Sequence, residues 1–296
     1  MPRPDRDAVS YPRGMVALYS ATVILSINGV LSKVIPLDAI TTTFIRCVIA
    51  FFALCFMLRL QKSEKLFQLG HSRNYWQVIV IGFLMTIHWS SFFHAMQVST
   101  VAIGILAHYS YPVLTVILEP ILDKKRPQVA DLMAGFIVLI GVAVMVPSWQ
   151  LHSQALIGAA FGLLSACAWS TRNVLQRRWL ARESGQSIMA YQLLVIVVLS
   201  SVFCDYSALF NVSYDTWLVI LLLGVVSTAF GHTLFSIALR AISAKSVSLI
   251  SCLQPPLAIL LSGLILAEIP NLQTIIGGSI ILCVALYEAV KMQGNR

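Results

Sequence analysis

The chain has 296 residues, 58% of them hydrophobic and 11% charged, with 20 Lys and Arg against 12 Asp and Glu for a net charge of +8. A soluble domain of this size is about 45–50% apolar and about 25% charged, and so few charges cannot cover a water-facing surface. These proportions exclude a soluble enzyme or nucleic-acid binder despite the positive charge, and make the bilayer the expected solvent.

The basic N-terminus (Arg3, Arg6, Arg13) precedes an apolar window at 14–35. That window runs on to Ser32 and Lys33 without an Ala-x-Ala cleavage pattern, so it reads as a first span rather than a signal peptide. Further windows follow at 39–59, 75–96, 100–122, 129–147, 155–178, 187–204, 215–238, 244–267 and 271–290. Each approaches the roughly 20 residues that a membrane helix needs, and none alternates in polarity as a spanning strand would. The expected fold is an all-α integral membrane protein with ten transmembrane helices, in a multi-pass arrangement in the cell (inner) membrane. No segment between the windows could house a soluble catalytic domain or an ATP-binding loop.

Lys and Arg set the orientation. Alternate segments carry Arg3, Arg6 and Arg13, then Arg59, Lys62, Lys65 and Arg73, then Lys124, Lys125 and Arg126. The series continues with Arg177, Arg178 and Arg182, then Arg240 and Lys245, then Lys291 and Arg296, so 17 of 20 basic residues lie on one side. Only Lys33 lies in an opposite loop, while Arg46 and Arg172 fall within spans. Both termini are therefore expected to be cytoplasmic. Trp76, Trp149, Trp179 and Trp217 sit at span ends, as interfacial indoles do; Trp89 and Trp169 lie well inside. Six cysteines fall in apolar runs without metal-ligand spacing, so no disulfide framework, metal site or cofactor is expected.

The sequence also repeats itself. FFHAMQVSTVAIGILAHYSYP (92–112) matches FSIALRAISAKSVSLISCLQP (235–255) at a separation of 143, and NGVLSK (28–33) resembles NVLQRR (173–178) at 145. Five spans per half is an odd number, so the halves, 1–148 and 149–296, would enter the membrane from opposite sides. Inverted repeats of this kind build secondary transporters.

The same residues resemble the drug/metabolite transporter superfamily, EamA type, over essentially the whole chain. Asn28, Lys33 and Arg46 resemble the family's first two spans. HAMQVSTVAIGILAHYSYPVLTVILEPIL with Gly135 and Gly141 resembles its third to fifth, and FSIALRAISAKSVSLISCLQPPLAILLSGLILAE with Gly277 and Gly278 its C-terminal stretch. Two departures stand out: Leu25 replaces a Trp common in the family, and LDKKRP replaces its usual L-x-E-R. The resemblance implies a basket-like bundle around a cavity lined by spans 1, 3, 4, 6, 8 and 9, with spans 5 and 10 peripheral. It further implies transport of small metabolites, most often export of amino acids or related compounds.

Polar groups inside hydrocarbon need a wet cavity or a partner, and helical spacing shows which share a face. Span 4 carries His108, Tyr111, Thr115 and Glu119; span 6 carries Ser165, Trp169, Arg172 and Gln176. Span 3 carries His88 and Ser91 with Trp89 at the edge, and spans 8 and 9 add Thr228, His232, Phe235, Ser251 and Gln254. The expected substrate-binding set is Asn28, His88, Trp89, His108, Tyr111, Thr115, Trp169, Arg172, His232, Phe235 and Gln254. Arg172 is the first candidate to hold a carboxylate or phosphate, the alternative being snorkelling to the cytoplasmic interface. Arg46 is expected to snorkel outward or cap carbonyls instead. Glu119, His88 and His232 are candidates for coupling to a proton, with Glu119 otherwise pairing with Lys124, Lys125 or Arg172. Pro112 and Pro255 interrupt spans 4 and 9 at equivalent depths and are candidate hinges.

The function expected from these features is ATP-independent transport of a small metabolite by alternating access, most plainly export of amino acids or related compounds. Its expected partners are the lipid bilayer and a small-molecule substrate, with a proton as the candidate coupling ion and exchange or facilitated diffusion fitting equally well, and with no nucleic acid. An importer or exchanger of a nucleotide-linked or cationic metabolite is the alternative; a channel and an intramembrane enzyme are weaker ones.

Overall fold

The computed structural model describes residues 11–60, 69, 72–122, 124–146, 150, 152–180, 183, 185–241 and 250–294. All regular structure among them is helical. The first predicted span forms α1 (Tyr11–Ser26) and α2 (Asn28–Val34), broken at Ile27. It is followed by α3 (Ala39–Leu60) and α4 (Ser72–Val98). The fourth is divided into α5 (Val101–His108) and α6 (Tyr111–Leu122), and the fifth is α7 (Val129–Met145). Then come α8 (Gln154–Trp179) and α9 (Gly185–Ser201), with α10 (Tyr206–Phe210) in the loop beyond. The eighth span runs through α11 (Tyr214–Leu221), a π-helical stretch (Leu222–Gly231) and α12 (His232–Ala241). α13 (Gln254–Leu266) and α14 (Leu272–Gly294) complete the chain. The start of the ninth predicted span, Trp149 and the charges Arg3, Arg6, Lys62, Lys65, Arg182, Lys245 and Arg296 lie outside the described residues.

Five helical stretches are long and apolar enough to cross a bilayer: Tyr11–Val34, Ala39–Met57, Asn74–Val98, Gln154–Trp179 and Tyr214–Phe235. Five shorter apolar helices accompany them, at Val101–Thr115, Val129–Met145, Ser187–Ser201, Gln254–Leu266 and Leu272–Tyr287. Large apolar side chains point outward along them, among them Phe52, Phe136, Val198 and Leu264. Water would penalise that surface heavily and lipid does not.

The helix ends follow local chemistry. Thr100, Ser153 and Ser213 accept hydrogen bonds from the third residue beyond, capping α5, α8 and α11. Asp205 does the same for α10. The Ser207 hydroxyl (2.6 Å) and the Ala208 N–H (3.0 Å) hold its carboxyl below the usual carboxylate range.

Packing runs between the two halves as much as within them. α4 lies on α8, α1 on α12, α3 on α9, α7 on α14 and α5 on α13. Small residues permit the closest approaches. A Cβ on Gly277 would overlap the Gly141 carbonyl and stand 2.6 Å from the Met145 nitrogen, so α7 and α14 meet backbone to backbone. Gly162 lets α8 reach α5, where a Cβ would stand 2.6 Å from that of Ala107.

Candidate functional site

The breaks in the helices locate the site. Turns interrupt the fourth span at Tyr109–Ser110 and the ninth at Cys252–Leu253, positions 143 apart, each followed by a proline. The Tyr109 hydroxyl donates to the Ser251 carbonyl (2.6 Å) and lies 2.9 Å from Gln254 Oε1, tying the two breaks together. Pro112 and Pro255 occupy the first turn of α6 and α13, where a missing N–H costs no intrahelical bond. They mark restarts of a helix rather than kinks within one.

Beside these breaks lies a cavity of about 600 Å³, its mouth included. Leu25, Asn28, Arg46, His88, Trp89, Phe92, His108, Tyr109, Tyr111, Trp169, His232, Phe235, Ser251 and Gln254 line it. Among the described residues of the lining there is no carboxylate. Nine of the eleven predicted binding residues are thus brought together: Asn28, His88, Trp89, His108, Tyr111, Trp169, His232, Phe235 and Gln254.

One wall is a hydrogen-bonded imidazole pair. The Ser165 hydroxyl lies 2.8 Å from His88 Nδ1 and 3.1 Å from His108 Nδ1, and the two rings stand 4.9 Å apart. A hydroxyl has one proton to donate and two lone pairs to accept with, so at most one imidazole accepts from Ser165 and at least one donates to it through Nδ1–H. Trp169, 4.6 Å from the His88 ring, and Tyr111, 5.3 Å from the His108 ring, extend this wall.

Asn28 opens α2 just past the break at Ile27, and its Oδ1 accepts the Ser227 hydroxyl from the π-helical stretch. Inserting the extra residue per turn of a π-helix alters which side chains face inward, a change common at functional sites. Trp89 and His232 approach across α4 and α12 with ring centroids 5.4 Å apart.

Two predicted binding residues stand behind the lining. Thr115 donates to the Tyr111 carbonyl and meets the Ser170 hydroxyl, both at 2.9 Å. Arg172 neither snorkels nor lines the cavity. Its Nε and Nη2 donate to Gln192 Oε1 at 3.0 and 2.9 Å, its Nη1 donates to Asn173 Oδ1 at 2.8 Å, and its guanidinium sits 5.1 Å from the Trp169 ring. Glu119 lies away from the cavity, paired at 2.5 Å with Arg177 rather than with Lys124, Lys125 or Arg172.

Arg46 departs most from expectation. Instead of snorkelling outward it is 1% exposed, its guanidinium carbon 4.0 Å from the Trp89 ring and 4.4 Å from the Phe93 ring. Trp89 and Phe93, one helical turn apart on α4, form an aromatic cradle around it. Lys33 also departs. It donates to the Ser99 carbonyl at 2.6 Å and forms an ion pair with Glu268, whose other oxygen accepts the Val101 N–H at 3.0 Å. Ala267, in the left-handed region at φ 55°, ends α13 and brings Glu268 to this contact. Lys33 and Glu268 are 235 positions apart, too far for spacing to reveal the pair.

The EamA-like transporter family model matches residues 12–146 and again 156–287. The chain belongs to the EamA-like transporter family. This EamA-like protein is 23% identical over 287 residues to an uncharacterized transporter, YxxF, of Bacillus subtilis strain 168, covering 95% of this chain and 91% of that one. It is 27% identical over 271 residues to an uncharacterized transporter of Archaeoglobus fulgidus, covering 91% and 93% of the two chains. One crystal structure shares the fold with a TM-score of 0.64 at 18% identity, over 96% of this chain and 99% of that one. The family and the apolar helices make this a multi-pass membrane protein of small-molecule transport.

Proposed function

We propose that this EamA-like protein is an ATP-independent secondary carrier that moves a small metabolite, an amino acid or a related compound, outward by alternating access. The single observation that carries the reading is the cavity at the two helix breaks, where broken spans from both halves of the chain supply the lining. Ten spans with both termini cytoplasmic fit the charge distribution. The shorter apolar helices approach spanning length when read with their continuations, α6 beyond α5 and α14 on to Gly294.

Two related halves, 1–148 and 149–296, are supported by the two family matches and by the packing. Exchanging each span for its repeat mate turns the α4–α8 contact into α12–α1 and the α4–α9 contact into that of the π stretch with α3. The α7–α14, α3–α9 and α5–α13 contacts map onto themselves. The ion pairs obey the same exchange. Lys33–Glu268 joins the ends of spans 1 and 9, and Glu119–Arg177 joins the ends of spans 4 and 6. Inverted halves put these two latches on opposite faces, so opening one while the other holds gives alternating access. Pro112 and Pro255 are the hinges, and the tied turns at Tyr109 and Cys252 are where each half bends.

Counterflow in proteoliposomes tests this reading. Saturable exchange of one member of a panel of labelled amino acids, amines and nucleotide-linked metabolites is expected, with a loss of about 2- to 12-fold in Trp169→Ala, since an aromatic stacking partner contributes about 0.5–1.5 kcal/mol beyond its buried area. Unsaturable flux would instead make the protein a channel, and absence of flux from folded protein would remove the carrier reading.

A further inference from the structure

Arg46 presents a problem that the bundle itself does not solve. Its side chain is 1% exposed, its Nε and Nη2 have no oxygen or nitrogen partner among the described residues, and the Cys47 thiol beside it is only a weak acceptor. A buried charge is ordinarily paired, because desolvation without a partner is costly. The rings of Trp89 and Phe93 stabilise the cation through its faces, but a ring face takes up no in-plane N–H. The contrast with Arg172 is direct: there the same two atoms, Nε and Nη2, share Gln192 Oε1.

The two unpartnered atoms are not an arbitrary pair. Nε–H and the adjacent Nη2–H form the side-on edge of a guanidinium, two parallel donors spaced to match the two oxygens of a carboxylate. Arg46 lines the cavity, whose described lining offers no carboxylate of its own. The anion that completes this fork therefore comes from outside the chain. Arg46 supplies one positive charge and one unpartnered two-donor edge, the arrangement that the two oxygens of a carboxylate take up.

We propose that Arg46 is the cargo-anchoring residue and that the cargo is held as a monocarboxylate, its Nε/Nη2 edge turning into the cavity to take both carboxylate oxygens. This deepens the carrier reading and rests on it. An ammonium group on the cargo meets no carboxylate in the described lining, so it is dispensable. The aromatic wall of His88, Trp169 and Tyr111 takes an apolar or planar body on the same molecule.

The test uses a charge series on one phenyl scaffold: hydrocinnamate (anion), phenylalanine (zwitterion), hydrocinnamamide (neutral) and phenethylamine (cation). Binding to the detergent-purified full chain is read by tryptophan fluorescence, and exchange is read separately by counterflow. Hydrocinnamate and phenylalanine are expected to bind, with the amide and amine weaker by about 10- to 100-fold, as loss of a charge-assisted bond implies. Arg46→Gln is expected to remove that difference, and Arg46→Lys to keep part of it. Amide or amine binding equal to hydrocinnamate, no hydrocinnamate binding at millimolar concentration, or unchanged hydrocinnamate binding in Arg46→Gln would each overturn the proposal. Should Arg46→Gln fail to fold, Arg46→Lys decides the assignment: an ammonium offers no parallel two-donor edge, so an undiminished difference in Arg46→Lys would overturn the proposal. Arg46-dependent binding without counterflow would support the anchor and remove the carrier reading instead.

Discussion

At the scale of single residues, chemistry within the spans follows hydrogen-bond inventory. The His88–Ser165–His108 chain works because a hydroxyl both donates and accepts. Ser165→Ala leaves both buried Nδ1 atoms without this partner, at a cost of about 1–3 kcal/mol. A lower melting temperature in detergent and a change in the pH dependence of counterflow are expected. An unchanged melting temperature would mean that the imidazoles hold their positions by packing alone. His88 and His108 were legible as members of cavity-facing stripes, since i, i+3 and i+4 spacing requires nothing beyond the helix itself. Arg46 was not. Its sequence position, near the outer end of span 2, says nothing of the Trp89–Phe93 cradle on another helix, and the cradle decides which way the guanidinium turns. Helical spacing puts Arg172 on the polar stripe of span 6, but its acceptor, Gln192, belongs to the next span and is visible only with the helices packed.

The elements show a different balance. Every described helix lies on a predicted apolar window or, as with α10, in a loop between windows, because continuous hydrophobicity over about 20 residues has one solution in lipid. The breaks inside windows were only partly readable. Pro112 and Pro255 announced the interruptions in spans 4 and 9, whereas the break at Ile27 and the π-helical stretch at Leu222–Gly231 have no comparable residue signal. Glycine pairs announced close packing without naming the partner. The Gly141–Gly277 approach sets the distance between α7 and α14, so Gly277→Val forces those helices apart. Overpacking of this kind costs about 1–3 kcal/mol. A matching loss of thermal stability is expected, with the effect of Gly277→Ala smaller but of the same sign. Stability equal to the wild type in Gly277→Val would mean that the two helices do not need this contact.

At the scale of the whole molecule, the two ion pairs differ in burial, and that difference sets their worth. Lys33 and Glu268 are 18% and 20% exposed, while Arg177 and Glu119 are 64% and 32% exposed. Exposed pairs contribute little in water, whereas a shielded pair supported by further hydrogen bonds contributes more. Glu268→Gln is expected to lower stability by about 1–3 kcal/mol and to change counterflow. Arg177→Gln is expected to stay within about 0.5 kcal/mol. Parallel melting curves and exchange rates for the two variants check this, and equal effects would remove the assignment of the buried pair as the tighter latch.

The sequence by itself determined the solvent, the helices and the family, because hydrophobic run length, charge placement and recurring motifs are properties of the linear chain. It also picked out most residues of the cavity lining, because a polar face on an apolar helix is encoded at helical spacing. Tertiary structure alone decided the direction taken by Arg46, the partners of Arg172, Lys33 and Glu119, and the meeting of the two broken spans at Tyr109 and Gln254. Each of these is a contact between helices far apart in the chain. A side chain inside a membrane bundle takes its charge partner from whichever helix packs beside it, and spacing along one helix carries no record of that neighbour.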